Sequence, residues 1–141
     1  MEYNKLISVT GFSGLFELVS SKTDGAIIRS LEDDTTKFVS NRQHQFSHLE
    51  SIEVYTDDDN VNLADIFNAM AELNIELPSE KDNKAIRAYF EKVYPKMDFE
   101  KVYNSDMKKM VRWFTLIKKH EIEIKLTELE EEEENDEQKE N

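Results

Sequence analysis

The sequence predicts an α+β protein, in which a small curled antiparallel sheet or SH3-like barrel precedes a small helical part and an acidic tail. Three observations predict this class. Short apolar runs separated by glycine and Asp-Gly turns fill residues 5–56. Apolar residues then recur at helical spacing between residues 62 and 120. Residues 127–141 are mostly acidic.

Five short strands are expected in the first part, at residues 6–10, 15–20, 26–31, 37–39 and 51–56. The turn at residues 11–14 holds two glycines, which permit backbone angles that other residues avoid. Asp24-Gly25 is a strong hairpin signal, and Ile52 alternates with polar residues to share one face with Val54. Greek-key and open-sheet variants of these strands stay open as alternatives.

Two amphipathic helices are predicted next. Asn62 is placed to cap a helix that runs to about Leu73, and a second helix covers about residues 80–93, ending before Pro95. Residues 74–78 form the connector between them. Their apolar stripes consist of Leu63, Ile66, Phe67, Met70 and Leu73 in the first helix and Ile86, Tyr89, Phe90 and Val93 in the second.

The most sharply patterned stretch is residues 98–120, which predicts a third helix. Ser105 is the expected N-cap, and Asp106 places negative charge in the first turn, where the helix dipole favours it. Lys118, Lys119 and His120 supply positive charge at the other end. The apolar stripe consists of Met107, Met110, Val111, Phe114 and Ile117.

We therefore divide the chain into a β-rich domain with a closing helix (1–74), a helical domain (79–126) and a disordered acidic tail (127–141). The tail has nine acidic residues against one lysine, a balance of −8, which leaves −5 on the rest of the chain. Just before the tail, Ile122, Ile124 and Leu126 alternate with charged residues. They form either a last edge strand or the end of the fold.

Composition excludes several classes of protein. Because the chain has no cysteine, a disulfide framework, a thiolate nucleophile and a cysteine-based zinc site are impossible. The N-terminus lacks a basic lead into a long apolar run, and no stretch approaches the roughly 20 apolar residues that a bilayer requires. We expect a soluble, cytoplasmic protein without membrane contact.

Three segments carry a family resemblance. Residues 102–114 read VYNSDMKKMVRWF and resemble the RVY-SD-KK-WY pattern of an uncharacterised two-part family from Bacteroidetes bacteria. Residues 7–16, ISVTGFSGLF, and residues 54–57, VYTD, are similar to that family's opening strand with its glycine turn and to a strand end. Lys101 and Phe114 stand where the pattern has Arg and Tyr. The resemblance implies a β-rich and a helical domain, both of unknown function, and brings no activity, cofactor or catalytic residue.

Metal binding has two candidate segments. His44 and His48 are four residues apart, which on a helix would place both rings on one side, but a zinc site needs a third ligand and no HExxH pattern is present. Residues 57–59 are all Asp, yet they lack the mid-loop glycine and final glutamate of a calcium loop. A polar loop and an acidic lead into a helix are the favoured interpretations, and no metal or cofactor is predicted.

Catalysis has no evident constellation. The turn between Gly11 and Gly14 contains no basic residue and joins two strands, so a phosphate loop does not fit and a hairpin turn does. Serine, histidine and carboxylate residues occur without a recognisable motif. We expect a protein that is not an enzyme.

The third helix has a basic side. Lys108, Arg112 and Lys119 project away from the apolar stripe, with Lys109 near their edge and Trp113 turned toward them. This side is either a solvated surface with Trp113 packed inside the fold or a strip that contacts a partner. These five residues are our candidate binding residues.

Two functions follow from these features. The first is a non-enzymatic interaction module that binds a protein partner. The alternative is nucleic-acid binding through the basic face of the helix at 105–120, modulated by the acidic tail. The balance of −5 outside the tail is untypical of a general nucleic-acid binder, whose affinity depends on Lys and Arg.

Overall fold

The sheet comes first and the helices follow in the computed structural model, which describes residues 1–127. Consecutive strands form an antiparallel meander, and the fifth strand returns to pair with the first, so that the order is β4-β3-β2-β1-β5. The α+β class and the small antiparallel sheet are confirmed. The strands are β1 (Leu6–Val9), β2 (Phe16–Lys22), β3 (Gly25–Ser30), β4 (Thr36–Ser40) and β5 (Phe46–His48).

The fifth strand differs from the prediction. Residues 51–56 do not join this sheet; Glu53–Val54 (β6) pairs instead with Val61–Asn62 (β7) in a separate two-stranded ladder. The fifth strand of the sheet is instead β5, which pairs with β1. Two hydrogen bonds join the residues next to this pair: the Thr10 N–H donates to the Gln45 carbonyl at 3.1 Å, and the Gln45 N–H donates to the Thr10 hydroxyl at 2.8 Å. The segment around β5 is polar apart from Phe46, so its strand signal is weak.

Three helices complete the described chain: α1 (Leu63–Leu73), α2 (Asn83–Val93) and α3 (Asn104–Lys119). The Asn62 side chain accepts from the Ala64 N–H and caps α1 as predicted. Asp82 accepts from the Ala85 N–H at the start of α2. None of the helices formed by residues 1–127 is long and apolar enough to cross a membrane.

The start of α3 corrects one prediction. Ser105 is not the N-cap, because the helix begins at Asn104 with Tyr103 in the cap position. The Asp106 carboxylate accepts from the Tyr103 backbone N–H at 3.0 Å and so satisfies one of the free donors at this end. The first turn thereby forms two residues earlier than a Ser105 cap would allow.

The main core joins the sheet to the helices. Leu6 of β1, together with Leu15 and Leu31, which flank β2 and β3, is buried with apolar residues of all three helices, and the rings of Phe67 and Phe114 stack at 5.9 Å. Leu73, predicted in the apolar stripe of α1, is instead exposed at the last residue of that helix. The predicted stripe of α3 is confirmed, since all five of its members are buried. A second, smaller cluster lies on the other side of the strands and consists of Ile7, Val9, Phe16, Ala26, Ile28 and Val39.

The chain after α3 forms no regular strand up to Thr127, so of the two alternatives for residues 122–126 the edge strand is excluded and the end of the fold applies. Ile122 is buried, and Thr127 is held because both its backbone N–H and its hydroxyl donate to the Glu50 carboxylate, at 2.9 and 2.7 Å. The sequence predicts a disordered tail at residues 127–141, and every one of these residues after Thr127 lies outside the part of the chain that the structure describes.

Candidate functional site

A concave surface opens where the turn after β1 faces the first half of α3. Its first cavity measures about 330 Å³. The sheet wall comes from residues 8–10 and 12–14, and Glu80 closes one side. The helix wall consists of Ser105, Lys108, Lys109, Arg112 and Trp113.

A second cavity of about 330 Å³ continues the first. Both are lined by Ser8, Thr10, Lys109 and Trp113, so they form two halves of one groove, which we name the α3–β1 groove. The second half adds the apolar side chains of Val54 and Met110 to the lining, together with Lys101 and the carboxylates of Glu53 and Asp106.

The strand pattern explains why the groove exists. Side chains alternate between the two faces of a strand, so Ser8 projects to the same face of β1 as Leu6. Leu6 is fully buried beneath the helices, whereas Ser8 is small, polar and partly exposed. The sheet and α3 therefore pack closely at one end of β1 and separate at the other.

The structure brings four of the five candidate residues to the groove. Lys108, Lys109, Arg112 and Trp113 line its first half, whereas Lys119 lines neither half. Lys119 lies eleven residues beyond Lys108 on α3, a rise of about 16 Å at 1.5 Å per residue.

Trp113 is part of the joint between sheet and helix. It is 8% exposed, and its indole N–H donates to the Gly14 carbonyl at 3.2 Å. Gly14 has φ +87°, and a Cβ at this position would collide with the Glu32 carboxylate, so the turn requires glycine. Trp113 thus forms the floor of the groove, with its polar edge already bonded.

Arg112 is engaged by two carboxylates. Its guanidinium lies 3.1 Å from Glu32 and 3.9 Å from Glu80. Lys108 and Lys109 are exposed, and the ion pairs within residues 1–127 involve neither of them. The positive charge that the groove offers a ligand therefore comes from these two lysines and, in the second half, from Lys101.

The groove has the chemistry of an anion-binding surface. Lys108 and Lys109 line the same cavity as Ser8, Thr10 and Ser105, whose hydroxyl groups are able to donate hydrogen bonds. The groove also lies at the N-terminal end of α3, where the helix dipole favours negative charge. Carboxylate or phosphate groups are the complementary ligands.

Sequence reasoning missed the residues that complete this site: Gly14, Glu32 and Glu80. Gly14 was interpretable only as a turn glycine, and Glu32 only as part of an acidic turn. Glu32 and Arg112 are 80 positions apart, and no local pattern pairs them. The glycine turn at residues 11–14 is the one sequence feature that points to this site, because a turn glycine also marks a place where another segment packs close to the backbone.

The metal candidates lie elsewhere. His44 is in the turn before β5, where its Nδ1 lies 2.7 Å from the Thr10 carbonyl and its ring stacks on Phe12 at 4.8 Å. His48 ends β5, so the two histidines do not share a helix. Asp58 lies 3.4 Å from the Lys96 ammonium. Within the described residues, no three His, Asp or Glu side chains are grouped so as to hold a metal ion.

Two family models match the chain, one after the other. Domain of unknown function (DUF5606) matches residues 4–49, and Domain of unknown function (DUF6852) matches residues 52–117. The first match covers the five-stranded sheet, and the second covers the β6–β7 ladder and nearly all of the three helices. The two family models meet between residues 49 and 52. The domain boundary that the sequence predicts, at residues 74–78, stays a prediction.

A solved structure has the same fold. A solution NMR structure of a Northeast Structural Genomics Consortium target from Bacteroides vulgatus matches with a TM-score of 0.63 and 26% sequence identity. The match covers 80% of this chain and 83% of that chain. No curated protein matches the sequence. The chain belongs to the uncharacterised two-part family in which DUF5606 is followed by DUF6852.

Proposed function

We propose that this protein is a non-enzymatic binding module whose α3–β1 groove holds an acidic segment of a partner protein. One observation carries the proposal: Lys108 and Lys109 stand without ionic partners among residues 1–127, directly over a continuous groove. Exposed cations that line a cavity and have no ionic partner there are available to bind an anionic ligand.

The shape of the groove supports a peptide. Ligand sites typically measure about 300–1,000 Å³, and each half of the groove reaches the lower end of this range. Lysine and hydroxyl groups line both halves, and the second half adds the apolar side chains of Val54 and Met110. An extended segment with acidic residues at one end and an apolar side chain at the other matches both halves.

The charges favour a protein over a nucleic acid. Nucleic-acid binders neutralise many phosphates, and about 6–10 contacts are common. In the described groove Arg112 is engaged by Glu32 and Glu80, and Trp113 is too buried to stack on a base. Two lysines suffice for a short acidic peptide but supply few phosphate contacts.

The test is an NMR titration of the ¹⁵N-labelled full chain with a glutamate-rich peptide and, separately, with single-stranded DNA. Trp113 is the only tryptophan, so its indole N–H gives one unambiguous signal at the floor of the groove. We expect the peptide to shift this signal and the amides of Lys108 and Lys109, and added salt to weaken the effect.

A pair of variants provides the control. Lys108→Ala with Lys109→Ala removes the free charges and should weaken peptide binding several-fold, about 0.2–1 kcal/mol for each exposed ion pair. Lys119→Ala changes a lysine on the same helix outside the groove and should bind like the parent. Equal losses in both variants, or tighter binding of the DNA, would contradict the proposal.

A further inference from the structure

We infer that the α3–β1 groove is occupied in cis by the chain's own acidic segment, residues 128–141, until a partner displaces it. This inference rests on the proposed function, because it names a competitor for the same site. It assigns residues 128–141 a regulatory role, because a partner is able to bind the groove only in the fraction of molecules in which this segment does not occupy it.

Charge complementarity is the first support. Residues 128–141 contain nine acidic residues and one lysine. Lys108 and Lys109 have no ionic partner within residues 1–127, and Lys101 lines the second half of the groove. The lining also includes the carboxylates of Glu53, Glu80 and Asp106, so the cations that attract the most acidic segment of the chain are chiefly Lys108 and Lys109 in the first half.

The point where the described chain ends is the second support. Thr127 is bound to the Glu50 carboxylate through two hydrogen bonds. Glu50 lies three residues after Ser47 and two before Ile52, and both of these residues line the second half of the groove. The acidic segment thus starts near the second half of the groove.

The length and order of the segment are the third support. Fourteen residues reach about 46 Å when extended, whereas residues 105–113 of α3, which form the helix wall, rise only about 12 Å. Leu129 is the one apolar residue of the segment and comes two residues after Thr127, followed by five consecutive glutamates at 130–134. In this order Leu129 reaches the second half, where Val54 and Met110 lie, before the glutamates reach Lys108 and Lys109.

Covalent linkage makes even a weak contact effective. A tethered ligand competes at an effective concentration on the order of mM, provided that its length spans the distance. A partner peptide then binds with an apparent affinity reduced by the occupied fraction.

The experiment uses a nitroxide at the single cysteine of a Glu134→Cys variant, which is specific because the chain has no other cysteine. In the full ¹⁵N-labelled chain, we expect broadening of the Lys108 and Lys109 amides and of the Trp113 indole N–H. Lys108→Glu with Lys109→Glu should abolish the broadening, whereas Lys119→Glu should preserve it. Unchanged spectra in the spin-labelled parent would overturn the inference, as would equal broadening in all variants.

Two further arms separate the possible outcomes. The first arm mixes a chain that carries the nitroxide but no ¹⁵N with a chain that carries ¹⁵N but no nitroxide, so that any broadening reports contact between two molecules. Broadening in this mixture alone would contradict occupancy in cis. Changing glutamates 130–134 to glutamine should tighten binding of the glutamate-rich peptide about tenfold. If the peptide binds neither the parent chain nor the glutamine variant while the cis broadening persists, the proposed function fails and the intramolecular contact stands. If the peptide binds the parent and the glutamine variant equally and no broadening is seen, the intramolecular contact fails and the proposed function stands.

Discussion

Gly14 links the turn after β1 to two contacts with other parts of the chain. Its carbonyl accepts the Trp113 indole N–H, and its missing Cβ leaves room for the Glu32 carboxylate that pairs with Arg112. A single glycine thereby positions both a wall and the floor of the α3–β1 groove. The backbone reason is its φ of +87°, which other residues adopt only with strain.

Gly14→Ala is expected to lower the free energy of unfolding by about 1–3 kcal/mol, because it strains the backbone and forces Glu32 away from Arg112. Urea denaturation measures the change. Gly11→Ala is a matched control: its φ is also +87°, but the nearest atoms to an added Cβ belong to His44, at 3.4 Å. The Gly14 variant should lose more stability; an equal loss in both would show that the Glu32 contact contributes nothing.

At the scale of elements, Asn62 connects α1 to the end of the sheet. Its side-chain oxygen accepts from the Ala64 N–H, and its side-chain N–H donates to the Glu50 carbonyl at 2.7 Å. Glu50 in turn holds Thr127. The cap of one helix therefore also supports the segment from which residues 128–141 depart.

Asn62→Ala should destabilise the protein by about 0.5–2 kcal/mol through loss of the cap, with a further loss from the unpaired Glu50 carbonyl. Asp82→Ala removes only the cap of α2, since Asp82 bonds the Ala85 N–H from an exposed position. Thermal unfolding of both variants should rank Asn62→Ala as the more damaging change. The opposite ranking would mean that the Glu50 bond is negligible.

At the scale of the molecule, the two family domains share one core. Leu6, Leu15 and Leu31 from the first domain are buried with Phe67 and Phe114 from the second. Neither domain covers this apolar surface alone, and removing either would expose it to water. The two domains should accordingly unfold as one cooperative unit.

Phe67→Ala tests this cooperativity, because it empties a fully buried site and should cost about 3–5 kcal/mol. Urea transitions followed by far-ultraviolet circular dichroism and by Trp113 fluorescence should coincide in the parent and shift together in the variant. Phe38→Ala is the control, since this ring is half-exposed on β4 and its loss should cost far less. Separate transitions for sheet and helices would refute a shared core.

The helices and four of the five strands were readable from the sequence because their signals are local. Apolar spacing identified the buried stripe of α3, and Asn62 marked the start of α1. β5 was not readable, since its pairing depends on contacts between Thr10 and Gln45, 35 positions apart, in a segment whose side chains are mostly polar.

The binding residues divide in the same way. The sequence by itself determined that Lys108 and Arg112 project away from the apolar stripe of α3, with Lys109 near their edge and Trp113 turned toward them, because helical spacing alone sets that side. Only the tertiary structure decided that Glu32 engages Arg112, that Gly14 bonds Trp113 and that two lysines stay free over a groove. Those outcomes depend on which distant segments the shared core brings against α3, and local sequence carries no record of that packing.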